Sequence, residues 1–144
     1  MRYNTSIIAI LPFDTTQYWV FKNGKPTDLT EDDFMEIETI LKRSIDDYNS
    51  ETEKPFEAIN KEHPEYKLAS KNFIIDLTRY KRQYVATINS KGQKEVWVNC
   101  FCDTWNRDWK KYLIFVKDGG NCYFNLKINL ATGQYYELRV NGEA

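Results

Sequence analysis

Three cysteines, a single histidine and a pair of closely spaced indoles are the side chains of this 144-residue chain best suited to chemistry. Cys100 and Cys102 stand two apart, and Cys122 follows at a distance. A Cys-x-Cys step on a strand could present two thiolates to a metal, but companion ligands are missing. An odd cysteine count does not close a disulfide framework. Free cysteine also packs as a small hydrophobe, and that is the expected role here. A bridge from Cys100 or Cys102 to Cys122 stays open if the chain is exported. His63 precedes Pro64 in what reads as a helix-terminating turn, so it suits a surface or capping position.

No catalytic set assembles around these groups. One histidine would have to serve every Ser-His-Asp or Cys-His scheme. Gly119-Gly120 opens no helix and so makes no phosphate loop. Glu36, Glu38, Asp46 and Asp47 have the spacing of a solvated helix face, whereas acid–base carboxylates need a pocket. Asp76, Tyr80 and Arg82 are the polar groups that could line one. No catalytic residue, metal ligand or cofactor is expected.

Binding chemistry is better represented. Trp105 and Trp109 stand four apart with Arg107 between them and Lys110 and Lys111 after. Large aromatics and arginine are enriched where binding energy concentrates. Alternation in the last strands places Tyr123, Asn125, Lys127, Tyr135, Glu137 and Arg139 away from the core. The candidate binding residues are therefore Trp105, Arg107, Trp109, Tyr123, Lys127 and Arg139. For the two indoles, the competing expectation is that one or both fold back over the core.

The elements that must position these residues are written in the hydrophobic pattern. Cys122, Phe124, Leu126, Ile128 and Leu130 alternate with Asn121, Tyr123, Asn125, Lys127 and Asn129. That period-two pattern is a half-buried strand, bracketed by turns at Gly119-Gly120 and Ala131-Thr132-Gly133. Ser6 to Phe13 and Gln17 to Lys22 predict an N-terminal β-hairpin. Thr30 is a good N-cap, with Asp33 in the capping-box position and Glu31 to Asp33 at the positive end of the helix dipole. Phe34, Ile37, Leu41, Ile45 and Tyr48, widened by Ile40, give an amphipathic helix over about 31–49. Pro55 can start a second, short helix through Phe56 and Ile59. Residues 72–89 read as a long strand whose phase shifts near Tyr80, the mark of a bulge. Strands are further expected over 95–103 and 111–117, and in two final runs ending at Val140.

Composition fits a single domain, long enough to bury about two-thirds of its unfolded surface. Net charge is −1. Residues 1–69 carry 8 Lys and Arg against 14 Asp and Glu, while residues 70–144 carry 12 against 7. An acidic helical half and a basic sheet half would attract each other. A basic face for an anionic partner is the alternative, but nucleic acid needs a denser basic patch. The apolar run at residues 7–11 is too short to span a membrane and lacks a signal-peptide pattern. The expected location is cytoplasmic, or exported with the leader absent from this chain.

The fold class is therefore α+β: an N-terminal hairpin, one long helix plus a short one, then a curved antiparallel meander of four or five strands packed on the helix. From Thr30 to Val140 this order of elements resembles the cystatin-like and NTF2-like superfamilies. The Gln-Val-Gly hairpin signature of the cystatin inhibitors is absent. Val96 to Cys102, with the ending from Gly119 to Gly142, also resembles a group of small uncharacterised bacterial proteins, and that resemblance implies no activity. Three functions fit: a non-catalytic protein- or peptide-binding module, a small-ligand pocket or enzyme at the open end of the sheet, or an inhibitor that neutralises a toxin or enzyme.

Overall fold

The alternation after Gly120 forms the strand it predicts, and that strand belongs to a mixed, open sheet of six. The computed structural model describes residues 3–14 and 19–142. In chain order the elements are β1 (Ile8–Leu11), β2 (Lys25–Pro26), α1 (Glu31–Glu62), β3 (Lys81–Ile88), β4 (Lys94–Phe101), β5 (Tyr123–Asn129) and β6 (Gln134–Val140). Strands β3 to β6 form a four-stranded antiparallel meander. β1 lies parallel along the free edge of β3, and β2 lies antiparallel beside the other end of the same strand.

The two N-terminal strands thus run in opposite senses, as in a hairpin, but each is bonded to β3. Of the run expected over residues 17–22, Gln17 and Tyr18 lie outside the described residues, and Trp19 to Lys22 form turns. Val20 and Phe21 are buried there, so apolar content reported packing rather than a strand.

Helix α1 begins as its sequence dictates. The Thr30 hydroxyl accepts from the Asp33 N–H at 3.2 Å, and the Asp33 carboxylate accepts from the Thr30 N–H at 2.8 Å. Asp33 also pairs with Lys94 of β4 at 2.6 Å, which ties the helix start to the sheet. Phe34, Ile37, Ile40, Leu41 and Ile45 pack against Tyr84, Ala86, Val96, Val98, Cys100, Phe124, Leu126 and Ile128.

The helix does not stop near residue 49 but runs through Pro55 to Glu62. Proline removes one helical N–H and so costs stability. Packing holds the distal half nonetheless. Phe56 stacks on Phe73 at 5.4 Å. The Asn49 side chain both donates to and accepts from the Ile75 backbone, at 2.8 and 2.7 Å. Asn60 makes the same paired contact with Leu68, at 2.7 Å in each direction. Two amides on one helix thus fasten the returning chain along its length.

Two expected strands are different in kind. The phase shift near Tyr80 is a strand start, not a bulge. Asp76 caps a short 3₁₀ turn over Leu77–Arg79, and β3 begins only at Lys81. Residues 111–117 form no strand. The Ile114 N–H donates to Gln83 Oε1 at 3.0 Å, and its carbonyl accepts from Asn99 Nδ2 at 2.6 Å. Side-chain amides on the sheet face replace the backbone partners that an edge would supply.

As a result, the central strands are covered on both faces. The face opposite α1 is roofed by Leu11, Val20 and Phe21 over Val85 and Trp97, and by Ile114 over Phe101 and Tyr123. Helix, sheet and an irregular outer layer make three layers.

Truncating Leu41 to Ala should cost about 2–5 kcal/mol in urea unfolding, the range for a core cavity. A cost below about 1 kcal/mol would place that stripe outside the core. For Asp33, burial opposes ionisation, but hydrogen bonds from Lys94 and the Thr30 N–H outweigh it and hold the carboxyl below its ordinary value. A depressed carboxylate stabilises above its unfolded-state pKa of about 4 and loses that contribution as pH falls through the folded value. Asp33→Ala should therefore cost about 1 kcal/mol at neutral pH, and the gap from the parent should close on acidification.

Candidate binding face

The outer layer is built around two buried amides. Gln83 of β3 faces Asn99 of β4 across the ladder, and Asn99 Nδ2 donates to Gln83 Oε1 at 3.1 Å. Gln83 Nε2 donates to the carbonyls of Trp109 and Tyr112, both at 2.7 Å. Together with the bonds to Ile114, these contacts hold the chain over residues 109–114 on the sheet. A buried polar network of this kind fixes one conformation when its members are satisfied.

The loop after β4 is fixed at its start by a disulfide. Phe101 pairs with Tyr123 in the register of β4 and β5, so the next residues out, Cys102 and Cys122, meet and bond. Cys100 pairs instead with Phe124 and is buried under the helix. The bridge left open in the sequence is thus Cys102–Cys122. Burial pushes the Cys100 thiol up to about 12, so it carries no thiolate at neutral pH.

Past the bridge, the two indoles take different roles. Trp105 and Asn106 adopt left-handed backbone, with φ of 55° and 57°. Such conformations cost about 1–3 kcal/mol each for residues other than glycine. The Asp103 carboxylate accepts the Trp105 N–H at 2.9 Å, which supports the turn. The Trp105 indole N–H donates to the Tyr123 hydroxyl, yet 59% of the residue is exposed. Trp109 is half-buried, its ring 6.0 Å from Phe101, with the Lys81 and Lys110 ammonium groups over it at 5.7 and 5.6 Å. One indole faces solvent and the other caps the core.

The remaining expected site residues divide in the same way. Arg107 is exposed beside Trp105. Tyr123 is buried, and that burial raises its phenol pKa. Its hydroxyl accepts the Trp105 indole N–H. Lys127 pairs with Glu137 at 2.9 Å and lies 5.4 and 5.8 Å from the Phe21 and Tyr136 ring centres. The hydrogen bond from Lys127 is the main cause holding the Glu137 carboxyl below its ordinary value. Arg139 is exposed, 3.6 Å from Glu137. The structure therefore joins Trp105 with Tyr123, and Lys127 with Glu137 and Arg139.

Tyr135 is not on this face. A bulge falls where residues 125–127 of β5 meet residues 136–139 of β6, with Glu137 at φ 51°. The inserted residue breaks the period-two pattern. Tyr135 turns to the helix side, where its hydroxyl donates to Asp47 at 2.7 Å. Tyr136 takes the outer position and donates to Glu95.

The sequence pattern missed a second aromatic group. Trp19 lies 5.4 Å from Trp97 and 5.5 Å from Phe115, edge-on to both. Trp97 is buried, and its N–H donates to Asn125 Oδ1 at 3.2 Å. Trp19 and Phe115 are each 54% exposed, and Tyr112 is 66% exposed. Composition carried only a general signal, the abundance of aromatics. Their meeting depends on the outer layer, which has no local pattern.

Other chemical candidates resolve simply. His63 caps α1 and stacks on Tyr66 at 4.7 Å. Glu38 pairs with the buried Arg82, and Asp47 accepts from Tyr135, while Glu36 and Asp46 are exposed. Asp76 and Tyr80 line one cavity, whereas Arg82 turns to Glu38 in a neighbouring one that Asp76 also borders. Among the described residues, no group of three or more His, Cys, Asp and Glu could hold a metal ion, and no helix is long and apolar enough to cross a membrane.

No protein-family model, curated protein or solved structure matches the chain.

Thiol titration provides a direct check on this geometry. The native protein should show no reactive thiol, and the denatured, unreduced protein should show one, from Cys100. Three thiols after denaturation would remove the bridge. Replacing Cys102 and Cys122 by Ser should cost about 3 kcal/mol, as the chain-entropy model gives for a loop of this length.

Proposed function

We propose that the protein is a non-catalytic binding module that takes a protein or peptide partner on its outer layer. One observation carries this reading. Trp19, Trp105, Tyr112 and Phe115 are each more than half exposed on the layer that covers the sheet. Exposed apolar groups gathered on one side of a molecule mark interaction sites more often than single exposed residues do.

These rings are also held in place. Trp105 spends its N–H on Tyr123, and Trp19 leans on Trp97 and Phe115. A rigid aromatic loses little entropy on binding, so its buried area converts well into affinity. Arg107, Lys110, Lys111 and Arg139 give the surrounding surface a positive bias. An acidic partner would associate faster at low ionic strength. An inhibitor that neutralises an enzyme or toxin would use the same face, with that enzyme as the partner. The cystatin-like and NTF2-like resemblance speaks to architecture, and such folds host many activities.

The test is affinity capture from the native cell lysate, repeated with variants. Trp105→Ala and Trp19→Ala should each weaken retention of the captured protein by more than about 1 kcal/mol. Both should leave the thermal midpoint nearly unchanged. Trp109→Ala should do the reverse, lowering the midpoint by several degrees. Retention that survives both exposed-indole variants would remove the outer layer as the binding site.

A further inference from the structure

The segment between the disulfide and the anchored stretch at 109–114 is the least supported part of the outer layer. Residues 105–108 are all exposed. Its bonds are mostly internal: the Trp105 N–H to the Asp103 carboxylate at 2.9 Å, and the Arg107 N–H to the Thr104 carbonyl at 3.0 Å. Trp105 and Asn106 hold left-handed backbone, which persists in such residues only where the surroundings impose it. Among the described residues, two ties to the sheet impose it here. One is the Trp105 indole N–H on the Tyr123 hydroxyl. The other is the base of the loop, where the Cys102 N–H donates to the Cys122 carbonyl at 2.9 Å and the disulfide joins the same two residues. That pair lies one step beyond the last ladder pair, Phe101 and Tyr123. Without the bridge it is a chain end that frays.

The bridge is open to attack from a different side. Cys102 is exposed and borders the cavity of about 410 Å³ that Tyr80 and Asn121 also line. None of the exposed rings of the outer layer, Trp19, Trp105, Tyr112 or Phe115, borders that cavity. A reagent reaching Cys102 by this route need not displace a partner from those rings. The third cysteine is kept out of the exchange. Cys100 is fully buried, and that burial pushes its thiol up to about 12.

We propose that the Cys102–Cys122 disulfide is a thiol-exchange site that sets whether Trp105 is held in place, with a dithiol as the reductant. The attacking thiolate bonds to Cys102 Sγ, the S–S bond breaks, and Cys122 leaves as a thiolate that takes a proton. The second sulfur of the dithiol then attacks the mixed disulfide, releases Cys102 and closes the reductant's own disulfide. Two electrons and two protons pass from the dithiol to the protein. Exposed disulfides are the labile ones. Once the bridge is open, residues 103–108 relax out of the left-handed turn and the indole leaves Tyr123. Residues 109–114 stay in place, because Gln83 and Asn99 hold them. The bridge thus governs one anchor of the outer layer and not the layer itself. The inference rests on the proposed binding face only for what the movement of Trp105 does to a partner.

The test is millimolar dithiol added to the native protein, followed by thiol titration and by NMR of the indole and backbone N–H groups. Two thiols should appear without unfolding, and Cys100 should stay unreactive. The Trp105 indole resonance should move toward that of free tryptophan. Trypsin should cut after Arg107 about tenfold faster or more, since cleavage follows the open population. The Ile114 amide should keep its slow exchange. The Cys102→Ser/Cys122→Ser double variant should reproduce the reduced state and ignore the dithiol. A bridge that resists reduction until the whole protein unfolds overturns the proposal. So does a reduced protein whose Trp105 resonance and Arg107 cleavage are unchanged, or one in which Ile114 loses its protection as well. These readouts need no partner. Partner capture that ignores reduction while the Trp105 resonance moves would overturn the binding role of Trp105 and leave the exchange site standing.

Discussion

Two buried side-chain amides, Gln83 and Asn99, set the architecture of the outer half of this protein. They face each other in the middle of the sheet, where an apolar pair would let the overlying chain slide. Instead they bond the backbone of Trp109, Tyr112 and Ile114. Irregular chain cannot be buried unless its polar groups find partners. These amides are such partners. With them in place, the sheet can be covered on its second face by a segment that is neither helix nor strand. That segment then holds Trp109 against the core and sets Tyr112 and Phe115 in solvent.

The charge asymmetry along the chain finds part of its explanation in the same layered arrangement. Asp33 and Glu38 of the acidic helix meet Lys94 and Arg82 of the basic sheet. Ion pairs of this kind contribute little individually when exposed. They tie the helix to β3 and β4 at two points. On the outer loop, Arg107 and Lys111 are exposed. The disulfide ties the start of that loop, at Cys102, to the turn that leads into β5, at Cys122.

Much of the helix side was legible in the sequence. The stripe from Phe34 to Ile45, the Thr30–Asp33 box and the Phe124–Leu126–Ile128 face are periodic, and periodicity is a local signal. The outer layer was not legible, because its determinants are distant. Nothing near Ile114 announces that Gln83 will bond it. Tyr135 changes face because Glu137 adopts a left-handed backbone in a bulge, and no glycine marks that position. Helix α1 passes Pro55 because Phe73 and Leu68 hold its far half. Trp105 and Arg107 were legible as exposed candidates from residue type alone, but their fixing by Tyr123 was not. Lys127 and Arg139 alternate correctly, whereas the Trp19–Trp97–Phe115 group needed the fold.

The central claim is that the outer layer is a fixed part of the fold, anchored by the two amides. Native-state hydrogen exchange at the Ile114 amide tests it most directly. Bonded to Gln83 Oε1, this N–H should exchange slowly, close to the rates of the β3 and β4 amides. In Gln83→Leu it should exchange as fast as an exposed loop amide, while the amides of α1 keep their protection. An Ile114 amide that already exchanges at loop rates in the unaltered protein would contradict the claim.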